Sequence, residues 1–180
     1  VEAYPNHPLV AHIRWALGAR IYKTRNYAAA EAHFRGILSE FPKSTYVPGS
    51  LFYQAECLGQ MGDYAGAAEA YRKLLAFPKS PYAREAQFRL GLALMQAGEY
   101  GAAAEAYRRF KPGPKDPLAA DALFNRALAL DKAGQKEQAM AAYASLLAKH
   151  PKYPRSSWIW LQIGAAKQAD GDYNGAAQAY

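Results

Sequence analysis

Residues 62–71 read GDYAGAAEAY, and close variants return at 98–107 (GEYGAAAEAY) and at 171–180 (GDYNGAAQAY). The shared element is an alanine followed four residues later by an aromatic residue. It occurs five times, at Ala30/Phe34, Ala67/Tyr71, Ala103/Tyr107, Ala139/Tyr143 and Ala176/Tyr180, with successive alanines 37, 36, 36 and 37 residues apart. Self-similarity at a fixed period of this size is typical of a solenoid, in which each unit buries its apolar face against a neighbour. The pattern therefore predicts a binding surface rather than a catalytic pocket.

The third repeat shows most clearly what each unit contains. Ser80-Pro81 has the composition of a helix start, because serine caps free N–H groups and proline fits the first turn. Gly98 is expected to end this helix, since glycine adopts the left-handed conformation readily. Tyr100 then begins a second helix, whose apolar stripe is Ala103, Tyr107 and Phe110. The repeat is therefore predicted to be a helix–turn–helix hairpin.

Equivalent residues recur in the other repeats. Gly62, Gly134 and Gly171 match Gly98, whereas the first repeat has Arg25-Asn26, of which asparagine is the better candidate for the left-handed turn. Small residues also recur in the first helices, where they are expected to face the alanines of the second helices: Gly18, Ala55, Gly91, Ala127 and Gly164.

These patterns predict an all-α fold. We expect a single α-solenoid over residues 1–180, made of five helix–turn–helix hairpins of which the last is truncated. The expected units span about residues 7–42, 43–78, 79–112, 113–151 and 152–180.

Composition favours helices and excludes several classes of protein. Of the 180 residues 51% are apolar, and many are Ala, Leu and Tyr rather than the Val and Ile of sheet proteins. No apolar stretch approaches the roughly 18 residues of a transmembrane helix. The single cysteine, Cys57, excludes an internal disulfide and a CxxC motif, and we expect it to be a small buried hydrophobe. Because the chain begins at Val1, we interpret it as an excised or processed piece.

The repeats resemble the tetratricopeptide repeat family, whose pattern is Trp-x2-Leu-Gly-x2-Tyr, then Ala-x3-Phe, then Pro. The third repeat matches with Leu90-Gly91, Leu94, Ala103, Tyr107 and Pro112, and the fifth with Trp160, Ile163-Gly164, Ala176 and Tyr180. The resemblance covers essentially the whole chain and implies a right-handed superhelix whose concave groove grips peptides. The chain departs from the family in having the first-helix tryptophan only at Trp160, and Lys136 where the other repeats have tyrosine.

The turns between repeats resemble one part of this family, its bacterial envelope members. Their sequences are FPKSTY, FPKSPYAREAQFRLG and HPKYPRSSW. Similar turns occur in the periplasmic coordinator of the Tol–Pal system and in the lipoprotein of outer-membrane-protein assembly. The resemblance implies a periplasmic or outer-membrane-associated protein, with a cytoplasmic location as the alternative.

The helical period indicates which residues would line the groove. When the small first-helix residue is counted as position eight, positions 2, 5, 6, 9, 12 and 13 share the side away from the partner helix, and in the family this side lines the concave groove. The mixed charge of these residues suits a polypeptide better than a phosphate backbone, which would need a run of Lys and Arg. The predicted groove residues are His12, Tyr22, Lys23, Phe52, Glu56, Gln60, Glu85, Arg89, Gln96, Asp121, Asn125, Lys132, Trp158 and Gln162.

Some members of the family clamp the terminal carboxylate of a peptide with Lys, Asn and Arg, but only Arg89 matches that pattern here. Positive charge recurs instead in the turns between repeats, at Lys43, Lys79, Lys115 and Lys152. Two interpretations of these lysines stay open. They complement helix C-termini and maintain solubility, or they form a basic edge that contacts an anionic lipid, a glycan or an acidic partner.

No sequence motif indicates catalysis. The chain has no HExxH, GxSxG, P-loop or dinucleotide-binding pattern, and its four histidines lack paired metal-ligand spacing. We expect no catalytic, cofactor or metal site and no small-molecule substrate. The leading hypothesis is a scaffold that binds a protein or peptide. The alternatives are a helical accessory domain of a larger peptidoglycan-active enzyme and a nucleic-acid-binding solenoid, which only the net charge of +7 supports. Exposed solenoid ends would also allow self-association.

Overall fold

The computed structural model describes residues 8–113 and 115–180, so the first repeat, expected from residue 7, is described from Pro8. The residues in these two ranges form ten α-helices and no β-strand. The prediction of an all-α fold is therefore confirmed. The helices are α1 (Pro8–Lys23), α2 (Tyr27–Glu40), α3 (Val47–Gln60), α4 (Tyr64–Leu74), α5 (Ala83–Gln96), α6 (Tyr100–Arg109), α7 (Leu118–Lys132), α8 (Lys136–Lys149), α9 (Ser156–Ala169) and α10 (Tyr173–Ala179).

The helices form two compact units, the first ending at Glu99 and the second spanning Tyr100–Tyr180. In the first unit each helix from α1 to α5 packs against the next one along the chain, and α1 also contacts α3. In the second unit the same sequential packing joins α6 to α10. Each of these helices thus buries its apolar side against a neighbour, as the periodic sequence predicts.

The alanine and aromatic residues that mark the repeat lie in the cores of the units. All five alanines are buried, and so are Phe34, Tyr71, Tyr107 and Tyr143. Tyr180, at the end of α10, is the exception, with 62% of its surface exposed. Cys57 is also fully buried, against Ala30 and Phe34 in the core of the first unit. Burial raises the pKa of its thiol to about 12, which agrees with its predicted role as a small hydrophobe.

Four of the short turns between paired helices contain a glycine in the left-handed region, as predicted. Gly62, Gly98, Gly134 and Gly171 have φ angles of 85°, 79°, 78° and 80°. The residue after each glycine donates its N–H to a carbonyl five residues earlier, for example Asp63 to Leu58 O at 2.9 Å. This bond satisfies a carbonyl that the helix end would leave free.

The prediction for the first turn is wrong. Arg25, not Asn26, has the positive φ angle, at 64°. The side chain of Asn26 instead accepts a hydrogen bond from Ala29 N and caps α2. Asp63 and Asp172 cap α4 and α10 in the same way. Asn26 is therefore equivalent to the capping aspartates, and Arg25 occupies the position of the glycines.

The predicted helix start at Ser80-Pro81 is also displaced. The helix begins at Ala83, and Ser80 lies in a preceding turn in which its hydroxyl accepts a hydrogen bond from Tyr82 N at 3.2 Å. Ser44 makes the same bond to Tyr46 N ahead of α3. Both serines therefore stabilise the turn between repeats, because their short side chains bond to the backbone two residues later.

Two of the small residues of the first helices, Gly18 and Gly164, lie close to aromatic rings of the second helices. A Cβ atom built on Gly18 would lie 2.9 Å from Cε1 of Phe34, and one on Gly164 would lie 2.6 Å from Cε1 of Tyr180. Glycine at these positions therefore leaves room for the ring of the paired helix.

Candidate functional site

Helices α3, α4 and α5 of the first unit form a surface cleft of about 440 Å³, which we call the groove cleft. Four of the predicted groove residues line it, namely Glu56 and Gln60 from α3 and Arg89 and Gln96 from α5. They come together because α4 packs against both α3 and α5. The other lining residues are Ala55, Gly59, Tyr64, Ala67, Tyr71, Leu92 and Ala93.

The two charged residues that line the groove cleft, Glu56 and Arg89, form one connected network with Tyr71 and with Glu85, which is outside the lining. Nη1 of Arg89 lies 3.3 Å from Oε2 of Glu56, and the hydroxyl of Tyr71 donates a hydrogen bond to Oε1 of the same carboxylate. Nε and Nη2 of Arg89 donate to Oε1 of Glu85, at 3.2 and 3.0 Å. Glu85 and Arg89 meet because they are four residues apart on α5. One guanidinium thus lies between two carboxylates.

The network shifts the pKa values of the groups around it. Burial acts to lower the pKa of Arg89, but Glu56 and Glu85 outweigh it, so the pKa lies above its ordinary value. Burial and then Glu56 raise the pKa of Tyr71, and the same causes raise that of Tyr22 to about 12. The side chain of Glu56 is only 10% exposed, so solvent screens its charge weakly. At neutral pH the tyrosines are therefore hydroxyl donors, and carboxylates outnumber the guanidinium.

Aromatic residues form the wall beside this network. The ring of Phe52 stacks on that of Tyr82 with centroids 5.0 Å apart, and it also contacts Tyr53 and Tyr71. Phe52 is buried, so it supports the groove wall and presents little surface to a partner. Tyr53 in turn contacts Tyr22, one of the predicted groove residues, at 5.4 Å.

The predicted residues of α1 lie outside the lining of the groove cleft. Nδ1 of His12 shares a 2.6 Å hydrogen bond with the hydroxyl of Tyr46, and the His12 side chain is exposed. Tyr22 is half-buried through its contacts with Tyr27 and Tyr53. Lys23 is exposed at the end of the helix.

In the second unit the predicted groove residues mostly contact their own neighbours. The hydroxyl of Tyr153 donates to Oδ1 of Asp121 at 2.8 Å, and Nζ of Lys132 lies 5.4 Å from the ring centroid of Tyr100. Asn125 is half-buried. Trp158 is 39% exposed and contacts the rings of Phe124 and Tyr143, and Gln162 is half-buried. None of these residues lines the groove cleft.

Two further kinds of feature, a metal site and a membrane-spanning helix, are not found in the part of the chain that the structure describes. Across residues 8–113 and 115–180, no cluster of three His, Cys, Asp or Glu side chains has a geometry that could hold a metal ion. Within the same ranges no helix has the length and apolar character needed to cross a membrane.

Two family models match the chain, and both describe the tetratricopeptide repeat. One matches residues 52–117 and the other residues 121–153, which together are more than half of the sequence. The chain belongs to the tetratricopeptide repeat family. A search of curated proteins found no significant match.

Solved tetratricopeptide repeat structures have the same fold. A crystal structure of the MamA protein is 20% identical, has a TM-score of 0.73 and aligns over 94% of this chain and 87% of its own. MamA from Desulfovibrio magneticus RS-1 is 18% identical, with a TM-score of 0.67 and coverage of 94% and 90%. A kinesin light chain from Podosopora anserina with nearly identical TPR-like repeats is 17% identical, with a TM-score of 0.67 and coverage of 96% and 92%. At these identities the comparison shows the fold alone.

One polar group of the groove cleft is not indicated by the repeat pattern. The pattern marks Tyr71 only as the recurring aromatic residue of its repeat, and its ring is buried. Its hydroxyl nevertheless reaches Glu56 at the edge of the cleft. The sequence does contain a signal for this bond. The equivalent residue of the first repeat is Phe34, which fills the same position without a hydroxyl, so the hydroxyl of Tyr71 indicates a polar contact.

Proposed function

We propose that this chain is a non-catalytic scaffold that binds a segment of a partner protein in the groove cleft. Tetratricopeptide repeat solenoids present extended concave surfaces of the kind used for protein binding. The observation that carries the proposal is the cleft itself, which combines apolar lining, an ion-pair network and two exposed amides, those of Gln60 and Gln96. Such amides can both donate to and accept from a peptide backbone.

The charge of the cleft supports a polypeptide partner over a nucleic acid. Arg89 of the cleft is bonded both to Glu56, which lines the cleft, and to Glu85, which lies outside the lining. Two carboxylates thus accompany one guanidinium, so a phosphate backbone would meet net repulsion here. A partner segment that carries a basic side chain would be attracted, because Glu85 uses only Oε1 in its bonds to Arg89.

The cell envelope is the setting that we propose for this scaffold. The support is the sequence of the turns between repeats, FPKSTY and FPKSPY, which resembles that of bacterial envelope members of the family. An accessory role beside a peptidoglycan-active enzyme domain would use the same groove and is the alternative proposal.

Self-association is a further part of the proposal. It is supported by large apolar side chains that are exposed on the terminal helices of the described chain. They are Leu9, Ile13 and Leu17 on α1, Trp160 and Leu161 on α9, and Tyr173 on α10.

Selection from a random library of 12-residue peptides displayed on phage tests the proposed groove. Peptides enriched on the unmodified protein are synthesised, and their Kd values are measured by fluorescence anisotropy. The groove variant is Gln60→Arg/Gln96→Arg, which adds bulk and positive charge to two exposed positions of the groove cleft. The matched control is Gln138→Arg/Gln178→Arg, which makes the same change at exposed positions of α8 and α10.

We expect a class of peptides whose Kd rises at least tenfold on the groove variant and stays unchanged on the control. Circular dichroism should show that both variants keep their helix content, because all four glutamines are exposed. If no peptide depends on the groove substitutions, the proposed function is wrong.

A further inference from the structure

The turns between repeats form a second set of clefts, which we call the turn clefts and which share no lining residue with the groove cleft. The first lies between Ala11, Glu40 and the turn 41–46, and has a volume of about 500 Å³. The second lies between the turn residues 44–45, Pro48 and residues 76–80, with about 580 Å³. The third lies in the second unit between Ala120 and the turn 150–154, with about 400 Å³.

The three turn clefts are built in the same register of the repeat. Each is closed on one side by an aromatic ring, a proline and a lysine in succession: Phe41-Pro42-Lys43, Phe77-Pro78-Lys79 and His150-Pro151-Lys152. The first-helix residues opposite, Ala11, Pro48 and Ala120, each lie seven residues before the small residue of their own helix. The clefts are therefore a feature of the repeat and not of one particular loop.

Each turn cleft combines apolar surface with an unpaired positive charge. The rings and prolines supply the apolar surface, and Phe77 is 40% exposed. Lys43, Lys79 and Lys152 are exposed, and none lies within ion-pair distance of a carboxylate in residues 8–113 or 115–180. Glu40, the acidic residue of the first cleft, is already paired with Arg14 at 2.9 Å. A ligand carboxylate would therefore meet a free ammonium group beside an apolar hollow.

The two turn clefts of the first unit adjoin, because Ser44 and Thr45 line both of them. A ligand that runs from one to the other would meet two hollows and two lysines in turn. An extended polypeptide matches this arrangement, since its side chains alternate in direction and can place apolar groups inward. A flat bilayer surface would reach the lysine heads but would not fill concave clefts.

We propose that the turn clefts are a second docking surface, for an extended segment of a partner protein that carries both acidic and apolar side chains. The acidic groups pair with Lys43 and Lys79, and the apolar groups occupy the adjoining hollows. This proposal goes beyond the proposed function of the groove cleft and does not depend on it. The two turn clefts of the first unit share no lining residue with the groove cleft.

The same phage-displayed 12-residue library tests this surface, with a different variant. Lys43→Ala/Lys79→Ala removes the charges of the two lysines that line the turn clefts of the first unit. Arg72→Ala/Lys73→Ala is the matched control, because it removes two exposed cations of α4 that are already paired with Glu99 and Glu69. Selected peptides are synthesised with their acidic residues intact or changed to amides, and their Kd values are measured at two salt concentrations. Vesicles that contain one third phosphatidylglycerol are tested in parallel.

We expect the selected peptides to be rich in Asp or Glu and in apolar residues. Their Kd should rise at least tenfold for the Lys43→Ala/Lys79→Ala variant, and also when their acidic residues are changed to amides. The Kd should stay unchanged for the control variant and for the groove variant. The proposal is overturned if no peptide depends on the two lysines, or if the dependent peptides lack acidic residues. It is equally overturned if the lysines are needed for vesicle binding but not for peptide binding. A lower Tm of the lysine variant without any change in peptide binding would show that the lysines only stabilise the C-terminal ends of helices. That result would also overturn the proposal.

Discussion

Tyr71 and Tyr143 occupy the same position of two different repeats, but their hydroxyl groups have different surroundings. The hydroxyl of Tyr71 donates to the carboxylate of Glu56. The hydroxyl of Tyr143 is buried and has no hydrogen-bond partner among the described residues. Burying such a group costs about 1–3 kcal/mol, whereas a hydrogen bond to a charged group contributes about 1.5–3 kcal/mol.

The pair gives a direct test at the residue scale. We expect Tyr143→Phe to leave the free energy of unfolding unchanged or to raise it by up to about 1 kcal/mol, because the ring stays and an unsatisfied hydroxyl is lost. We expect Tyr71→Phe to lower it by about 1–3 kcal/mol, because Glu56 loses a donor. Urea unfolding followed by circular dichroism measures both values. Equal changes in the two variants would contradict the hydroxyl environments described here.

The turns between paired helices share a residue with a positive φ angle, and in all but one of them this residue is glycine. Four of them have glycine in the left-handed region, and the first has Arg25 at a φ angle of 64°. A side chain in this region costs about 1–2 kcal/mol relative to the right-handed region. Part of that cost is offset because glycine has more conformational freedom than arginine in the unfolded chain and therefore loses more entropy on folding.

We therefore expect Arg25→Gly to raise the free energy of unfolding by about 0.5–1 kcal/mol. The reverse change in the equivalent turn, Gly62→Ala, should lower it by about 1 kcal/mol. No atom lies within 4 Å of a Cβ built on Gly62, so its cost would be conformational and not steric. Thermal and urea unfolding of the two variants measure the effect. A loss of stability in Arg25→Gly would mean that the arginine side chain contributes more than its backbone costs.

The sequence could predict the elements well because their signals are local. The alanines recur once per repeat and therefore indicate five repeats. The glycines indicate the turns, because the left-handed residue is needed within a few residues of the helix end. The helix start near Ser80 was displaced because serine and proline suit the turn before a helix as well as its first residue.

The groove cleft could be predicted only in part. Helical periodicity placed Glu56 and Arg89 on the same side of their helices, and the structure brings them to 3.3 Å. Their pairing depends on how α3 and α5 are rotated and shifted relative to each other, which no local pattern encodes. The bond from Tyr71 to Glu56 was missed for the same reason, because it joins residues of a helix pair across the cleft.

For the whole molecule, the arrangement of charge matters more than the net value of +7. Many cations of the helices are held by acidic neighbours, such as Arg108 and Arg109, whose hydrogen bonds lower the pKa of Glu105 to about 2. The lining of the groove cleft contains one carboxylate and one guanidinium, those of Glu56 and Arg89, which pair with each other. Each turn cleft instead contains a lysine that has no acidic partner among the described residues. The two kinds of cleft therefore differ in charge.

Sequential packing also predicts how stability is distributed along the chain. In the second unit α7 packs against both α6 and α8, whereas α10 has only seven residues and packs against α9. In repeat structures the free energy of opening depends on a helix and its immediate neighbours, so helices with one neighbour open more easily.

We expect amide hydrogen exchange to be fastest in α10 and slowest in α7 within the second unit, with protection in α3 of the first unit comparable to that in α7. Mass spectrometry of peptic fragments at neutral pH measures these rates in the intact 180-residue chain. The substitution Ala176→Gly offers a control, because it weakens α10 by at least about 1 kcal/mol, through the backbone and through the loss of a buried methyl group. It should speed exchange in α10 and α9 and leave α3 unchanged. If exchange is uniform in all helices, or if the substitution affects α3 as much as α10, the chain unfolds in one cooperative transition. Either result would contradict the expectation that the stability of a helix depends on its packing against the neighbouring helices.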